Sequence, residues 1–242
     1  MAKTVIITGA SKGIGRACAE KFYKLGYNIA AVYRSDDEGM SSFCRGRDED
    51  RILVFKADVA DFEAMHDIAR ETVAKFGSVD VLVNNAGIAQ QKMMNDITEA
   101  DWDRMFDVNV KGMFNCVKAC MDTMIHNKSG RIINISSIWG IAGASCEVHY
   151  SASKAAVIGF TKALAKELGP SGITVNCVAP GVIDTPMNKN IAPETMAELA
   201  EETPLGKIGT PREIAEAVAF FTMDTASFVT GQILTVDGGF IL

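Results

Sequence analysis

Short apolar runs rich in β-branched residues alternate with longer amphipathic stretches along the whole chain, and this alternation leaves few folds open. The runs fall at 4–8 (TVIIT), 28–33 (NIAAVY), 51–58 (RILVFKAD), 79–87 (VDVLVNNAG), 131–136 (RIINIS), 173–180 (ITVNCVAP) and 232–238 (QILTVDG). Between them, 13–26, 62–77, 111–127, 149–169 and 211–223 carry helical periodicity. Strand and helix in this order specify parallel strands joined by crossover helices. The runs are nearly continuous in apolar character, as a sheet covered on both faces requires. The pattern predicts an α/β, Rossmann-type doubly wound sheet, seven-stranded and mostly parallel, with helices on both faces.

No linker, low-complexity stretch or internal repeat interrupts the pattern, so 1–242 reads as one domain. The composition, 48% hydrophobic and 22% charged, supplies a large core, yet no run is long enough to span a bilayer. Met1-Ala2-Lys3-Thr4 leads straight into strand-like sequence without the features of a secretory leader, which predicts a cytoplasmic protein. Cys18, Cys44, Cys116, Cys120, Cys146 and Cys177 are scattered without a CxxC pair, predicting reduced thiols and no metal site. Cys116 and Cys120, one helical turn apart, read as core residues. A net charge of −6 argues against nucleic acid as a partner.

The first strand runs into Thr8-Gly9-Ala10-Ser11-Lys12-Gly13-Ile14-Gly15 and then a helix. Gly9 suits a tight strand-to-helix turn, Gly13 a close backbone approach to a ligand, and Gly15 close packing of the helix on the sheet. The free amides and positive dipole end of such a helix make a seat for a pyrophosphate. The spacing is GxxxGxG, so the case rests on strand, turn and helix occurring in that order. Where a carboxylate would receive the ribose hydroxyls of NAD, at the end of the second strand, the chain has Tyr33 and then Arg34. A guanidinium suits a 2′-phosphate, and Lys12 adds a second positive charge, so the cofactor predicted is NADP(H). The competing reading makes Arg34 a solvated loop residue neutralised by Asp36 and Asp37. Asp58 and Val59, after the third strand, are placed to bracket an adenine ring.

The fourth strand ends in Asn84-Asn85-Ala86-Gly87, and Ser136-Ser137 ends the fifth. Tyr150 and Lys154, in Tyr150-Ser151-Ala152-Ser153-Lys154, stand one turn apart on one helix face. An ammonium there favours the tyrosinate and makes the tyrosine a usable acid near neutral pH. A YxxxK pair alone is common by chance. Its coincidence with the Gly-rich turn, the Asn-Asn-Ala-Gly turn and Ser137 thirteen residues upstream is not.

Taken together, TGASKGIG, NNAG, Asn109, Ser137, YSASK and Pro180-Gly181 resemble the short-chain dehydrogenase/reductases over essentially the whole chain, in spacing unlike the extended sugar epimerases. The resemblance implies Tyr150 as proton donor and Lys154 as the group that lowers its pKa and holds the nicotinamide ribose. It further implies Ser137 as donor to the substrate carbonyl and Asn109 as holder of a water linking Lys154 to solvent. Ser11, Ile14, Asn85, Ala86, Gly87, Pro180, Gly181, Ile183 and Thr185 would join the Gly-rich turn around the dinucleotide. Within the family the chain is most similar to 3-oxoacyl-[acyl-carrier-protein] reductases, from Asp101-Trp102, Thr203-Pro204-Leu205-Gly206 and the tail Thr230-Gly231-Gln232 through Val236-Asp237-Gly238-Gly239. That likeness implies reduction of a 3-oxoacyl thioester with acyl carrier protein as partner, in fatty acid biosynthesis, and a homotetramer.

Three departures bear on the substrate. Ala89-Gln90-Gln91 replaces the family's common Thr-Arg-Asp after NNAG. Basic residues near the active-site mouth receive an acidic carrier in the relatives, whereas Lys128 and Ser171 stand at those places here, so one of the two charges is gone. The loop before Tyr150 carries Trp139, Glu147 and His149, which suit a partly flat and cationic substrate, and it resembles reductases acting on a 5-aminopentanone group on elongation factor P. Glu147 reads equally as a carboxylate complementing a helix N-terminus; His149 reads as a stabiliser of that helix start. The excursion at 181–209 reads as a substrate lid, with an ordinary surface excursion as the alternative. The remaining alternative is a non-catalytic dinucleotide-binding scaffold.

Overall fold

The computed structural model describes residues 2–241. Its seven strands are β1 (Thr4–Thr8), β2 (Asn28–Tyr33), β3 (Ile52–Lys56), β4 (Val81–Asn84), β5 (Gly130–Ile135), β6 (Ile173–Pro180) and β7 (Ile233–Val236). They form one sheet in the order β3-β2-β1-β4-β5-β6-β7. Every pairing is parallel, so the expected "mostly parallel" sheet is wholly so. The nine helices among the described residues are α1 (Gly13–Lys24), α2 (Asp37–Cys44), α3 (Phe62–Phe76), α4 (Glu99–Phe106), α5 (Gly112–Asn127), α6 (Trp139–Ala142), α7 (Val148–Leu168), α8 (Pro193–Glu202) and α9 (Pro211–Phe220).

Alternation along each strand divides the core in two. Val5, Ile7, Ile29, Val81, Val83 and Ile133 pack against Phe22 of α1, Met40 and Phe43 of α2, and Ile214 and Val218 of α9. Ile6, Val32, Leu82, Ile132 and Val175 face the other way, against Ile68 of α3, Cys116, Cys120 and Met124 of α5, and Leu164 of α7. Cys116 and Cys120 are thus core residues, and burial pushes the Cys120 thiol up to about 12. All six cysteines are free.

β1 and β4 are neighbours, with Ile7 opposite Val83, while their crossovers lead to opposite sides. The sheet therefore splits at their carboxyl ends, where a doubly wound sheet opens a crevice. A buried polar row sets α7 against this edge. Asn84 and Asn134 stand opposite each other, Asn84 Nδ2 donates to Asn134 Oδ1 at 2.9 Å, and Asn134 Nδ2 donates to Thr161 Oγ1 at 2.9 Å. Between α4 and α5 the chain takes a π-helical turn, Asp107–Lys111, with Asn109 buried at its centre. Such insertions re-aim a side chain that a regular helix would place elsewhere.

Candidate active site

A cleft of about 390 Å³ runs along the split, from Tyr33, Arg34 and Asp58 at one end past Gly9, Lys12 and Gly13 to Gly87, Ala89 and Thr185 at the other. Of the residues the sequence points to, Gly9, Ser11, Lys12, Gly13, Ile14, Arg34, Asp58, Val59, Asn85, Ala86, Gly87 and Thr185 line it. The Gly-rich turn needs two of its glycines for conformation, since Gly9 and Gly13 have φ of +68° and +56°. Gly15 serves a third need. A Cβ there would lie 2.2 Å from the Gly9 carbonyl oxygen, so it is the turn folding back on the helix, more than the sheet, that excludes a side chain. Thr8 locks the turn to β4's end, its Oγ1 accepting from the Asn85 and Ala86 amides at 3.0 Å each.

α1 begins without a side-chain cap and without an acidic residue in its first turn, which leaves amides and dipole for an anion. Arg34 is exposed and pairs with no carboxylate among the described residues. The two aspartates that could neutralise it are engaged elsewhere. Asp36 caps α2 through the Gly39 amide, and Asp37 takes the Tyr33 hydroxyl and Lys56 at 2.7 Å each. Asp58 gives one oxygen to the Ala60 amide and the other to Arg104 at 2.8 Å; burial raises its carboxyl, and these partners with Arg34 hold it below its ordinary value. These features fit NADP(H): a free helix end for the pyrophosphate and a free guanidinium for a 2′-phosphate.

Pro180, Gly181 and Ile183 lie off the cleft wall. The Pro180 carbonyl accepts from the Ile138 amide, a Cβ on Gly181 would meet the Asp237 Cβ at 2.7 Å, and Ile183 is buried in the core. Sequence reasoning missed Val32, Ser35, Ala57, Ile88, Val108, Pro186 and Met187, which also line the wall.

Ser137, Tyr150, Lys154 and Asn109 come together behind the cleft wall at Gly87; none of them lines the cleft, and none is more than 8% exposed. Gly87 shows how close they stand, since a Cβ there would lie 3.2 Å from Asn109 Oδ1 and 3.4 Å from Lys154 Nζ. Asn109 holds the turn after β4 at both ends of one residue, Oδ1 accepting from the Ile88 amide at 2.9 Å and Nδ2 donating to the Ile88 carbonyl at 3.0 Å. Lys154 Nζ donates to the Ile135 carbonyl at 3.0 Å and lies 5.7 Å from the centre of the Tyr150 ring.

The spacing of Tyr150 and Lys154 predicts a phenol lowered by its ammonium neighbour. The structure has it raised. Burial pushes the Tyr150 hydroxyl up to about 12, the Ser137 hydroxyl beside it opposing and the Glu147 carboxylate adding to the rise. Burial also brings the Lys154 ammonium down to about 8, with Cys177 opposing.

Trp139 and Glu147 stand at the mouth. The Trp139 ring packs edge-on against Phe240 with centroids 5.9 Å apart, and its amide donates to Ser137 Oγ at 3.2 Å. Glu147 is the residue before α7, yet its side chain caps no amide; it accepts from Gln91 Nε2 at 3.2 Å. Burial raises its carboxyl, the Gln91 amide opposing. Lys128 and Ser171 do not flank the mouth within one chain. Lys128 follows α5 and precedes β5, and Ser171 precedes β6, so both lie at the amino edge of the sheet, because a crossover helix ends where its next strand begins. Among the described residues no group of His, Cys, Asp and Glu could hold a metal ion, and no helix is long and apolar enough to cross a membrane.

Comparison with known proteins agrees with this geometry. The enoyl-(acyl carrier protein) reductase family model matches residues 9–241. The chain is 40% identical over 244 aligned positions to the 3-oxoacyl-[acyl-carrier-protein] reductase FabG of Staphylococcus aureus, covering 99% of this chain and 98% of that protein. It is 38% identical to the FabG of Thermotoga maritima, with the same coverage. The solved structure of ElxO with NADP bound superposes with a TM-score of 0.92 at 34% identity, over 100% of this chain and 99% of that one. A tyrosine-to-phenylalanine variant of ElxO with NADPH bound superposes equally well. By its cleft, its seven-stranded parallel sheet and these full-length likenesses, the chain belongs to the short-chain dehydrogenase/reductase family.

Proposed function

We propose that this protein is an NADPH-dependent carbonyl reductase in which Tyr150 protonates the carbonyl oxygen. The observation that carries the reading is the cluster of Ser137, Tyr150, Lys154 and Asn109 behind Gly87, on the wall of a cleft that also presents Arg34. The amides at the start of α1 and Arg34 would hold NADPH, which would supply the hydride. Ser137 and Tyr150 would both donate to the substrate oxygen, which gains electron density as the carbonyl π bond breaks. A phenol held near 12 is fully protonated at neutral pH, the state a donor needs. As its proton leaves, Lys154 offsets the charge that develops on the ring oxygen. Intact acid, tuner and oxygen donor argue against the scaffold alternative. The segment from Thr185 to Met187, on the cleft wall at the start of the 181–209 excursion, supports its reading as a lid.

For the substrate, the full-length likeness to FabG proteins favours a 3-oxoacyl thioester on acyl carrier protein. A second reading has its own observation: Glu147, half-buried beside Tyr150 and uncommitted to capping, is placed for a cationic ketone such as the 5-aminopentanone group on elongation factor P. Purified protein assayed for NADPH oxidation with acetoacetyl thioesters and with ketones bearing an amine separates the two by the ratio of kcat/KM. A homotetramer goes with either reading. Its supports are exposed apolar side chains, among them Phe62 of α3 stacked on Phe114 of α5, and Leu234 on the edge strand β7. The six free thiols support a cytoplasmic location.

A further inference from the structure

The two stretches that depart most from the family pattern meet each other across the mouth of the site. Gln90 Nε2 donates to Asp101 Oδ1 at 2.9 Å. Asp101 is itself fixed, closing the capping box of α4 with Thr98 and pairing with Lys92 at 2.7 Å. A carboxylate only accepts, so the Gln90 amide must turn its NH2 to Asp101 and its oxygen away. That oxygen lies 2.9 Å from His149 Nε2, so Nε2 carries the ring proton. The other ring atom, Nδ1, is then a bare lone pair, and it is buried without a hydrogen-bond partner. One residue on, Gln91 holds Glu147, and the Lys92 amide donates to the Cys146 carbonyl at 2.8 Å.

This seam lies where α7 is weakest. The helix opens without a side-chain cap, and Tyr150 is its third residue, inside the turn whose amides have no partner in the helix. His149 is completely buried in that same turn. We propose that Gln90 and His149 are positioning residues: the Asp101–Gln90–His149 chain tethers the uncapped first turn of α7, and with it the Tyr150 hydroxyl, in place against Ser137. Burial lowers His149, Asp101 opposing and Lys92 assisting, which keeps the ring in the neutral form that this chain of bonds uses. The inference rests on the reading of Tyr150 as proton donor, and its test is arranged so that the two can fail separately.

Gln90→Ala, His149→Phe, their double variant and His149→Gln are compared for kcat, for NADPH Kd and for amide hydrogen exchange over 147–153. Gln90→Ala and His149→Phe should each lower kcat about tenfold with NADPH Kd changed by less than about twofold, and the double variant should be no worse than either single one. His149→Gln still offers Gln90 a donor and should stay within about threefold of the unsubstituted enzyme. Exchange at Ser151, whose amide donates to the Glu147 carbonyl at 2.8 Å, should accelerate in the first three variants and not in His149→Gln. Additive kcat losses, a His149→Gln as impaired as His149→Phe, or unchanged exchange would overturn the proposal. Should the unsubstituted protein reduce no ketone, the reading of Tyr150 falls, and the exchange measurement alone decides whether the clamp exists.

Discussion

Lys154 donates its hydrogen bond to the Ile135 carbonyl at 3.0 Å while its ammonium stands 5.7 Å from the centre of the Tyr150 ring. The lysine is therefore anchored to the sheet by its own hydrogen bond. In the folded chain its pKa falls from 10.5 to about 8 through burial. Between those values the unfolded chain still binds the proton that the folded chain has released, so stability rises with pH across the window of about 8 to 10.5 and is lowest below it. Lys154→Met removes this dependence. Urea unfolding at pH 7 and pH 10 should show the variant's stability relative to the parent becoming less favourable by up to about 3 kcal/mol at the higher pH. The buried thiols titrate in both proteins and cancel in the comparison. A difference that does not move with pH would show that the ammonium is not buried as described.

Arg34, free of carboxylate partners among the described residues, is proposed to select the cofactor. Arg34→Asp should raise the KM for NADPH by roughly 10- to 100-fold, the value of one charge-assisted hydrogen bond, with far less effect on NADH. Equal changes for both cofactors would reject a phosphate-binding role.

Gly15 tests the turn. With its would-be Cβ 2.2 Å from the Gly9 oxygen, Gly15→Ala should destabilise the fold by about 1–3 kcal/mol and weaken NADPH binding, read by thermal unfolding with and without cofactor. Retention of both properties would mean that the turn relaxes at no cost.

Much of this was legible in the sequence because one-dimensional periodicity encodes strands, helices and their order. The seven strands follow from periodicity; Ser137, Tyr150, Lys154 and Asn109 are marked by motifs together with a family resemblance, and the split between β1 and β4 is visible only in the fold. Hydrophobic runs overstate strand length, as at 79–87, where only Val81–Asn84 pairs. The short helices α2, α4 and α6 are not marked in the sequence, and α8 is legible only as a polar helix-compatible stretch within 181–209. The direction of the Tyr150 shift was also hidden, because the helical spacing of Tyr150 and Lys154 reports proximity whereas burial depends on the packing around both. The Gln90–His149 and Gln91–Glu147 contacts join residues 59 and 56 positions apart, and only the fold reveals that two departures are one seam.

Glu147 distinguishes the two substrate classes. If a cationic ketone is the substrate, Glu147→Gln should raise its KM roughly 10-fold or more while leaving acetoacetyl thioesters almost unchanged. A uniform effect on both would assign Glu147 to the architecture of the mouth.

The central claim is that Tyr150 gives the proton that completes carbonyl reduction. The direct measurement is NADPH oxidation over a panel of ketones by the purified protein and by Tyr150→Phe, with NADPH affinity recorded for both. The account predicts turnover falling by about 10²- to 10⁴-fold in the variant, with cofactor still bound. Turnover that is indifferent to loss of the hydroxyl would contradict it.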